Sequence, residues 1–185
     1  MDILLKRLQE TPQSEYIIGL FAISWISAML ISLSITFMIK NNKLDESKED
    51  VDVEAYMDLL SKDTVIRFIE KCLITPYLET IVVQWVIFRL VALIFGYSLN
   101  SAIVSFYIST IVFAALHMIG TKWYSIIIHL PLSISLALVF MVNDITQTRP
   151  VLYTFLFHSI WNTMSIIVLP LIGNLIIFIR KKVRT

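Results

Sequence analysis

The sequence predicts an all-α membrane protein, a bundle of about five or six transmembrane helices. Hydrophobic residues make up 57% of the 185-residue chain and charged residues 16%, whereas soluble domains average about 45–50% and about 25%. The charges are clustered, and the runs without charge are long enough to cross a hydrocarbon core of about 30 Å. The net charge of +1 gives no electrostatic reason to expect a nucleic-acid partner.

The first hydrophobic run, 17–39, follows a polar segment, 1–15, that we expect to form a short interfacial helix. Lys6 and Arg7 precede the run, as basic residues precede a secretory signal. However, the run is longer than the roughly 7–15 apolar residues of a signal, and no small-residue cleavage site follows it. We therefore interpret it as a retained anchor. The segment 40–52 carries charges of both signs, and we expect a solvated loop there.

Segment 53–73 combines charged residues with apolar residues at helical spacing, which predicts an amphipathic helix on the membrane surface or packed on the bundle. Four hydrophobic spans follow, at about 76–96, 102–120, 123–142 and 150–179. We expect the break between the first two at 97–101. Pro170 and Gly173 are expected to divide the last run into one span and a second, tighter helix.

The chain divides into two parts on this basis. Residues 1–62 hold the anchor and the charged loop, and residues 63–185 form the helical core. Cys72 is the only cysteine, so an intrachain disulfide is excluded, and we expect its side chain to serve packing.

The distribution of lysine and arginine predicts the orientation of the bundle. Basic residues concentrate in 40–71 and at the C-terminal end, 180–184, which predicts that both are cytoplasmic. Five crossings then place the loops 97–101 and 143–149 outside. A sixth crossing would change only the side on which the N-terminus lies. We expect an integral protein of a bacterial cell membrane, with the lipid bilayer as its first partner.

Few polar side chains fall within the predicted spans, and these are the candidates for function. An ionisable residue inside the membrane costs several kcal/mol unless it is paired or hydrated. The ionisable residues of these spans are Glu79, Arg89, His117, His129 and His158, and we add the neutral amides Gln84 and Asn162 to the candidates. They include every histidine of the chain.

The spacing of these residues suggests a shared site. His158 and Asn162 are one helical turn apart, so they could hold an oxyanion or a substrate carbonyl, although a polar clamp between helices has the same spacing. Phe113 and His117 are also one turn apart. Glu79 begins one helix and His117 ends the next, so an antiparallel pair places both at one face of the membrane. A carboxylate at that position is either a general base or an interfacial cap.

These motifs resemble those of the CPBP family, the membrane-embedded CAAX-processing and bacteriocin self-immunity proteases also called Abi. The first family motif, Glu-Glu-x-x-x-Arg after a proline, matches 76–84 with Thr80 for the second glutamate and Gln84 for the arginine. The second motif, Phe-x-x-x-His, is 113–117, and the third is the His158 to Asn162 pair. The resemblance extends over about 65–179.

The resemblance implies an intramembrane endopeptidase of the glutamate type. Glu79 would activate the hydrolytic water with help from His117, while His158 and Asn162 would stabilise the oxyanion. Thr80, Gln84 and Phe113 would have supporting roles. The implied substrate is a peptide or protein entering from the membrane; in a bacterium, a leader peptide, pheromone or bacteriocin-like peptide. No cofactor is expected.

Three alternatives remain open from the sequence. The first motif could instead be 84–89, which would leave the site without a catalytic base. Zinc could bind to Glu79 and the three histidines, although no HExxH pair supports a metal site. The third alternative is a non-catalytic immunity or regulatory protein with a degenerate site. Arg89 is expected either to reach the interface or to balance the charge of Glu79.

Overall fold

The computed structural model describes residues 13–40, 64–119 and 123–183, and it confirms an all-α membrane bundle. These residues form five helices and no strand. The helices are α1 (Gln13–Lys40), α2 (64–95), α3 (Leu99–Leu116), α4 (Ser125–Ile145) and α5 (Pro150–Val183). Among the described helices, α1 to α4 are long and apolar enough to cross a membrane.

Helix α2 is longer than the predicted span, and two π-helical segments interrupt it, Glu70–Ile74 and Thr80–Trp85. The predicted amphipathic helix is not separate over its described part, because residues 64–73 continue directly into the span; residues 53–63 lie outside the described part. Between the two π segments lies a short α-helical stretch, Thr75–Glu79. Pro76 is accommodated at its start, where the wide turn before it relieves the clash that proline causes inside a helix.

The connection between α2 and α3 is residues 96–98, which overlaps the predicted break of 97–101 but begins one residue earlier and is shorter. Gly96 has a φ of 75°, a conformation that a residue with a Cβ rarely adopts. Ser98 then caps α3: its hydroxyl accepts from the Ser101 backbone N–H at 3.1 Å, and the Ser101 hydroxyl accepts from the Ser98 N–H at 3.0 Å. This reciprocal pair satisfies backbone donors that would otherwise be unpaired at the helix start.

Helix α1 packs antiparallel to α4. Asn143, near the end of α4, donates to the hydroxyl of Tyr16 near the start of α1 at 2.6 Å. At the other end, Ile35 of α1 packs with Tyr124, which precedes α4. We call the end with the connections 96–98 and 146–149 the Ser98 end, and the opposite end the His117 end.

The bundle core is apolar and draws on all five helices. Its buried members are Val83, Phe113, Leu132, Leu136, Val139, Phe157 and Trp161, and α1 packs against them with Phe21 and Trp25. Large apolar side chains such as Leu30, Leu93 and Ile111 are exposed on the outer surface. That surface suits acyl chains, which are as apolar as leucine.

The expected division of α5 is wrong, because the helix continues through Pro170 and Gly173 to Val183. A proline is tolerated in a membrane helix when other groups satisfy the freed backbone. Helix α4 likewise continues through an internal proline, Pro131. The predictions for 1–12 and 41–52 lie outside the described residues.

Candidate functional site

The centre of the site is a carboxylate beside an imidazole. Glu79 ends the short α-helical stretch between the two π segments of α2, and His158 lies on α5. Glu79 Oε2 is 3.5 Å from His158 Nε2. The His158 side chain is buried, whereas the Glu79 side chain remains 28% exposed. The carboxylate can therefore be reached from outside while its partner is fixed in the core.

His117 ends α3 next to this pair. Its Nδ1 donates to the Phe113 carbonyl at 2.9 Å, which leaves Nε2 as the acceptor nitrogen. The Phe113 ring centroid is 4.5 Å from that of His117 and 5.5 Å from that of His158. His158, which contacts Glu79, and His117 therefore pack on the same phenylalanine ring. The structure thus brings Glu79, His117 and His158 together around one phenylalanine.

His129 also belongs to this cluster, although the sequence-based site did not include it. Its ring stacks on His117 with centroids 4.3 Å apart and planes 29° apart. His129 Nδ1 lies 2.9 Å from the Ser125 carbonyl, and the Ser125 hydroxyl donates to the His117 carbonyl at 3.0 Å. The signal in the sequence was the short connection between the two helices, which brings the end of α3 close to the start of α4.

Asn162 forms a hydrogen bond to the backbone of α2. Its Nδ2 donates to the carbonyl of Lys71 at 2.8 Å. Lys71 lies in the first π segment, where the altered hydrogen-bond pattern of the backbone makes a side-chain donor useful. Asn162 therefore connects α5 to α2 one turn beyond His158.

Thr80 and Gln84 lie on α2, beyond Glu79 towards the Ser98 end, and both are fully buried. Thr80 Oγ1 and both amide atoms of Gln84 have no hydrogen-bond partner among the described residues, and neither have Thr154 Oγ1 and His158 Nδ1. We call Thr80, Gln84, Thr154 and His158 Nδ1 the inner polar cluster. It lies behind the imidazole that contacts Glu79.

Arg89 pairs with Asp144 rather than with Glu79, so the expectation that it balances the charge of Glu79 is wrong. Its guanidinium donates to Asp144 at 2.5 Å and lies 5.4 Å from the centroid of the Tyr97 ring. Asp144 had been assigned to a loop, but α4 continues to Ile145. The Arg89 and Asp144 pair therefore belongs to the Ser98 end, about 15 Å along α2 from Glu79 at 1.5 Å per residue.

The positions of the side chains around Glu79 decide whether they could bind a metal ion together. Among the described residues, no three His, Cys, Asp or Glu side chains are placed to hold one ion. His117 and His129 meet through their ring faces. What the arrangement offers is a carboxylate, adjacent imidazoles and an amide, which are groups for proton transfer and hydrogen bonding.

Comparison with known proteins identifies the family. A family model described as Rce1-like, type II CAAX prenyl endopeptidase, matches residues 61–164, more than half of the chain. The matched range includes Glu79, His117, His158 and Asn162. No curated protein and no solved structure matches the chain. The chain therefore belongs to the Rce1-like family of type II CAAX prenyl endopeptidases.

Proposed function

We propose that the protein is an intramembrane endopeptidase in which Glu79 activates the water that hydrolyses a peptide bond. The observation that carries the proposal is the 3.5 Å approach of Glu79 to His158 inside an apolar bundle. Ionisable groups are rare in that environment and usually mark function. Membership in a family of membrane peptidases supports the same chemistry.

Glu79 acts as the general base in this proposal. It removes a proton from water, whose oxygen then attacks the carbonyl carbon of the scissile peptide bond. The carbon–nitrogen bond breaks as that proton passes to the leaving amine. His117 assists because the Phe113 carbonyl holds its Nδ1–H, which leaves Nε2 as the nitrogen that can accept a proton. Phe113 supports both imidazoles by packing against them.

His158 and Asn162 stabilise the oxyanion. His158 Nε2 already faces the reacting carboxylate, and a buried donor of this kind is worth about 10²–10³ in rate. Asn162 uses one amide N–H to hold the Lys71 carbonyl, and the second N–H is the donor that we assign to the oxyanion. Asn162 thus positions α5 as well as contributing to the site.

The same geometry supports Glu79 rather than the alternative first motif at 84–89. Gln84 is fully buried, and Arg89 is engaged by Asp144. Glu79 is the carboxylate that reaches both a histidine and the surface of the bundle. We assign Thr80 and Gln84 supporting roles behind the site.

The substrate that fits this site is a peptide or protein segment presented from the membrane. The exposed part of Glu79 lies on α2, whose outer surface carries Tyr77, Leu78 and Val82. An apolar substrate segment can approach along that surface without leaving the lipid. The proposed mechanism requires neither a metal nor another cofactor, and we place the protein in a bacterial cell membrane with a cytoplasmic C-terminus.

A second candidate function is a non-catalytic immunity or regulatory protein. It is favoured by Thr80 and Gln84, which occupy the positions of a glutamate and an arginine in the motif of the CPBP family and have no hydrogen-bond partners among the described residues. A protein of this kind would bind a peptide at Glu79 without cleaving it.

The decisive experiment is Glu79→Gln in the full chain, reconstituted in lipid nanodiscs with a library of membrane-inserted peptides and analysed by mass spectrometry. Cleavage is expected to fall by about 10²–10⁴-fold, the usual contribution of a general base. Glu70→Gln is the matched control, because Glu70 is an exposed carboxylate on the same helix. Cleavage that survives Glu79→Gln contradicts the proposal, and peptide binding without cleavage by the unaltered protein supports the second candidate.

A further inference from the structure

We propose that the inner polar cluster of Thr80, Gln84, Thr154 and His158 Nδ1 is a binding site for ordered water, which fixes the protonation of the His158 ring. The statement about the protonation of His158 rests on the proposed function, because it concerns the role of His158 as an oxyanion donor. The statement that the cluster binds water does not depend on the proposed function.

The cluster is fully enclosed and its polar atoms are unpaired. Thr80, Gln84 and Thr154 are 0% exposed and His158 is 1% exposed. Two hydroxyl oxygens, both atoms of an amide and a ring nitrogen have no hydrogen-bond partner within the described part of the chain. Buried polar atoms are nearly always hydrogen-bonded to protein or to ordered water. A group of them in one place is therefore a site for a small polar ligand.

The packing of α2 against α5 places these residues together. Three contacts define an antiparallel register: Lys71 with Asn162, Tyr77 with Phe155 and Glu79 with His158. Continued towards the Ser98 end, this register puts Thr80 at the level of Thr154, and Gln84 follows one turn later on the same face of α2. Thr154 and His158 are one turn apart on α5, so their side chains share a face of that helix.

Water is the ligand that fits the size and chemistry of the cluster. A buried water needs two to four polar partners, and the cluster offers both donors and acceptors. Val83 and Phe157, the chain neighbours of Gln84 and His158, are buried in the apolar core, so a peptide cannot enter. The π segment Thr80–Trp85, which begins with Thr80, widens α2 at this level.

The water would determine which nitrogen of His158 carries the proton. To stabilise an oxyanion, Nε2 must be the donor, so Nδ1 must accept a hydrogen bond. A water that accepts from Thr80, Thr154 or the Gln84 amide can donate to Nδ1. Without it, a ring protonated on Nδ1 would turn the Nε2 lone pair towards the Glu79 carboxylate, which is unfavourable.

The test uses the full-length protein in nanodiscs in ¹⁸O-labelled water. X-ray pulses convert bound water into hydroxyl radicals, which oxidise the nearest side chains even when these are buried. We expect Phe157 to be oxidised at least several-fold faster than Phe140, which is equally buried and packs on Phe88. The double variant Gln84→Met with Thr154→Val keeps the volume but removes the polar partners, and it should abolish the difference.

Thr163→Val is the matched control, because the Thr163 hydroxyl already donates to the Ser159 carbonyl of its own helix. It should leave the oxidation of Phe157 unchanged. Equal oxidation of Phe157 and Phe140 in the unaltered protein overturns the water site. If Phe157 is still oxidised faster than Phe140 in the double variant, the water lies elsewhere, and the proposal is also overturned.

The protonation of His158 is read separately by ¹⁵N NMR of labelled histidine, with the signal assigned by its loss in His158→Gln. The unaltered protein should show the Nε2–H form, and the double variant should shift towards Nδ1–H. An unchanged form in the double variant overturns the second part of the proposal. Neither measurement requires catalysis, so both outcomes are independent of the result for Glu79→Gln.

Discussion

Arg89 and Asp144 bring opposite charges together at 2.5 Å inside the Ser98 end of the bundle. Each charge alone would be costly in this environment, but each neutralises the other, and the Tyr97 ring adds a cation–π contact to the guanidinium. The pair joins α2 to α4 across 55 residues of sequence. The pair therefore stabilises the bundle only when both side chains are present. Replacing one or both of them tests this.

Arg89→Leu is expected to lower the free energy of unfolding by about 2 kcal/mol, because it leaves the largely buried Asp144 charge unpaired. The Arg89 side chain keeps 30% exposure, so the loss is smaller than for a fully buried pair. Adding Asp144→Leu should restore most of the stability, because both charges are then gone. Denaturation of the protein in detergent micelles measures both values. If the double variant is no more stable than Arg89→Leu, the unpaired Asp144 charge is not the cause of the loss, and the explanation is wrong.

The candidate residues of the site could be predicted from the sequence, but their partners could not. Spacings of four residues placed His158 with Asn162 and Phe113 with His117, because side chains one turn apart share a helix face. The contacts of Glu79 with His158 and of Asn162 with Lys71 depend on how α5 is rotated against α2. Spacing within one helix carries no information about that rotation.

At the scale of helices, α2 differs most from its predicted form. Hydrophobicity predicted its span, and the segment 97–101 was predicted as the break after it. The two π segments were not predictable, because each depends on contacts with other helices. The first of them is stabilised from α5, where Asn162 bonds to the Lys71 carbonyl. Helix α5 thereby helps to hold the stretch of α2 that carries Glu79.

Asn162→Leu should therefore weaken both the packing of α2 on α5 and catalysis. Loss of one hydrogen bond is expected to lower the free energy of unfolding by about 1 kcal/mol, and loss of an oxyanion donor to lower kcat by about 10²-fold. Thermal unfolding and peptide cleavage measure the two effects separately. Ser27→Ala serves as the control, because that hydroxyl bonds within its own helix, to the Ile23 carbonyl. If Asn162→Leu retains full stability, the hydrogen bond to the Lys71 carbonyl does not stabilise the packing of α2 on α5.

At the scale of the whole molecule, the described helices place the polar features at two different depths. The connections 96–98 and 146–149 share the Ser98 end with the Arg89 and Asp144 pair. The histidine pair of His117 and His129 lies near the other end. The excess of basic residues in 40–71 and 180–184 predicts that the His117 end faces the cytoplasm. The proposed active site then opens nearer to the cytoplasmic side.

Labelling of single cysteines tests this orientation. Cys72 is the only cysteine and is buried, so Cys72→Ala provides a background without thiols. Asn100→Cys, at the start of α3, should react from outside intact cells with a maleimide that cannot cross membranes. Ile119→Cys, just past the end of the same helix, should react only after the cells are opened, because α3 has crossed the bilayer between the two positions. The reverse pattern would place the His117 end outside, and reaction of both positions in intact cells would contradict a transmembrane α3.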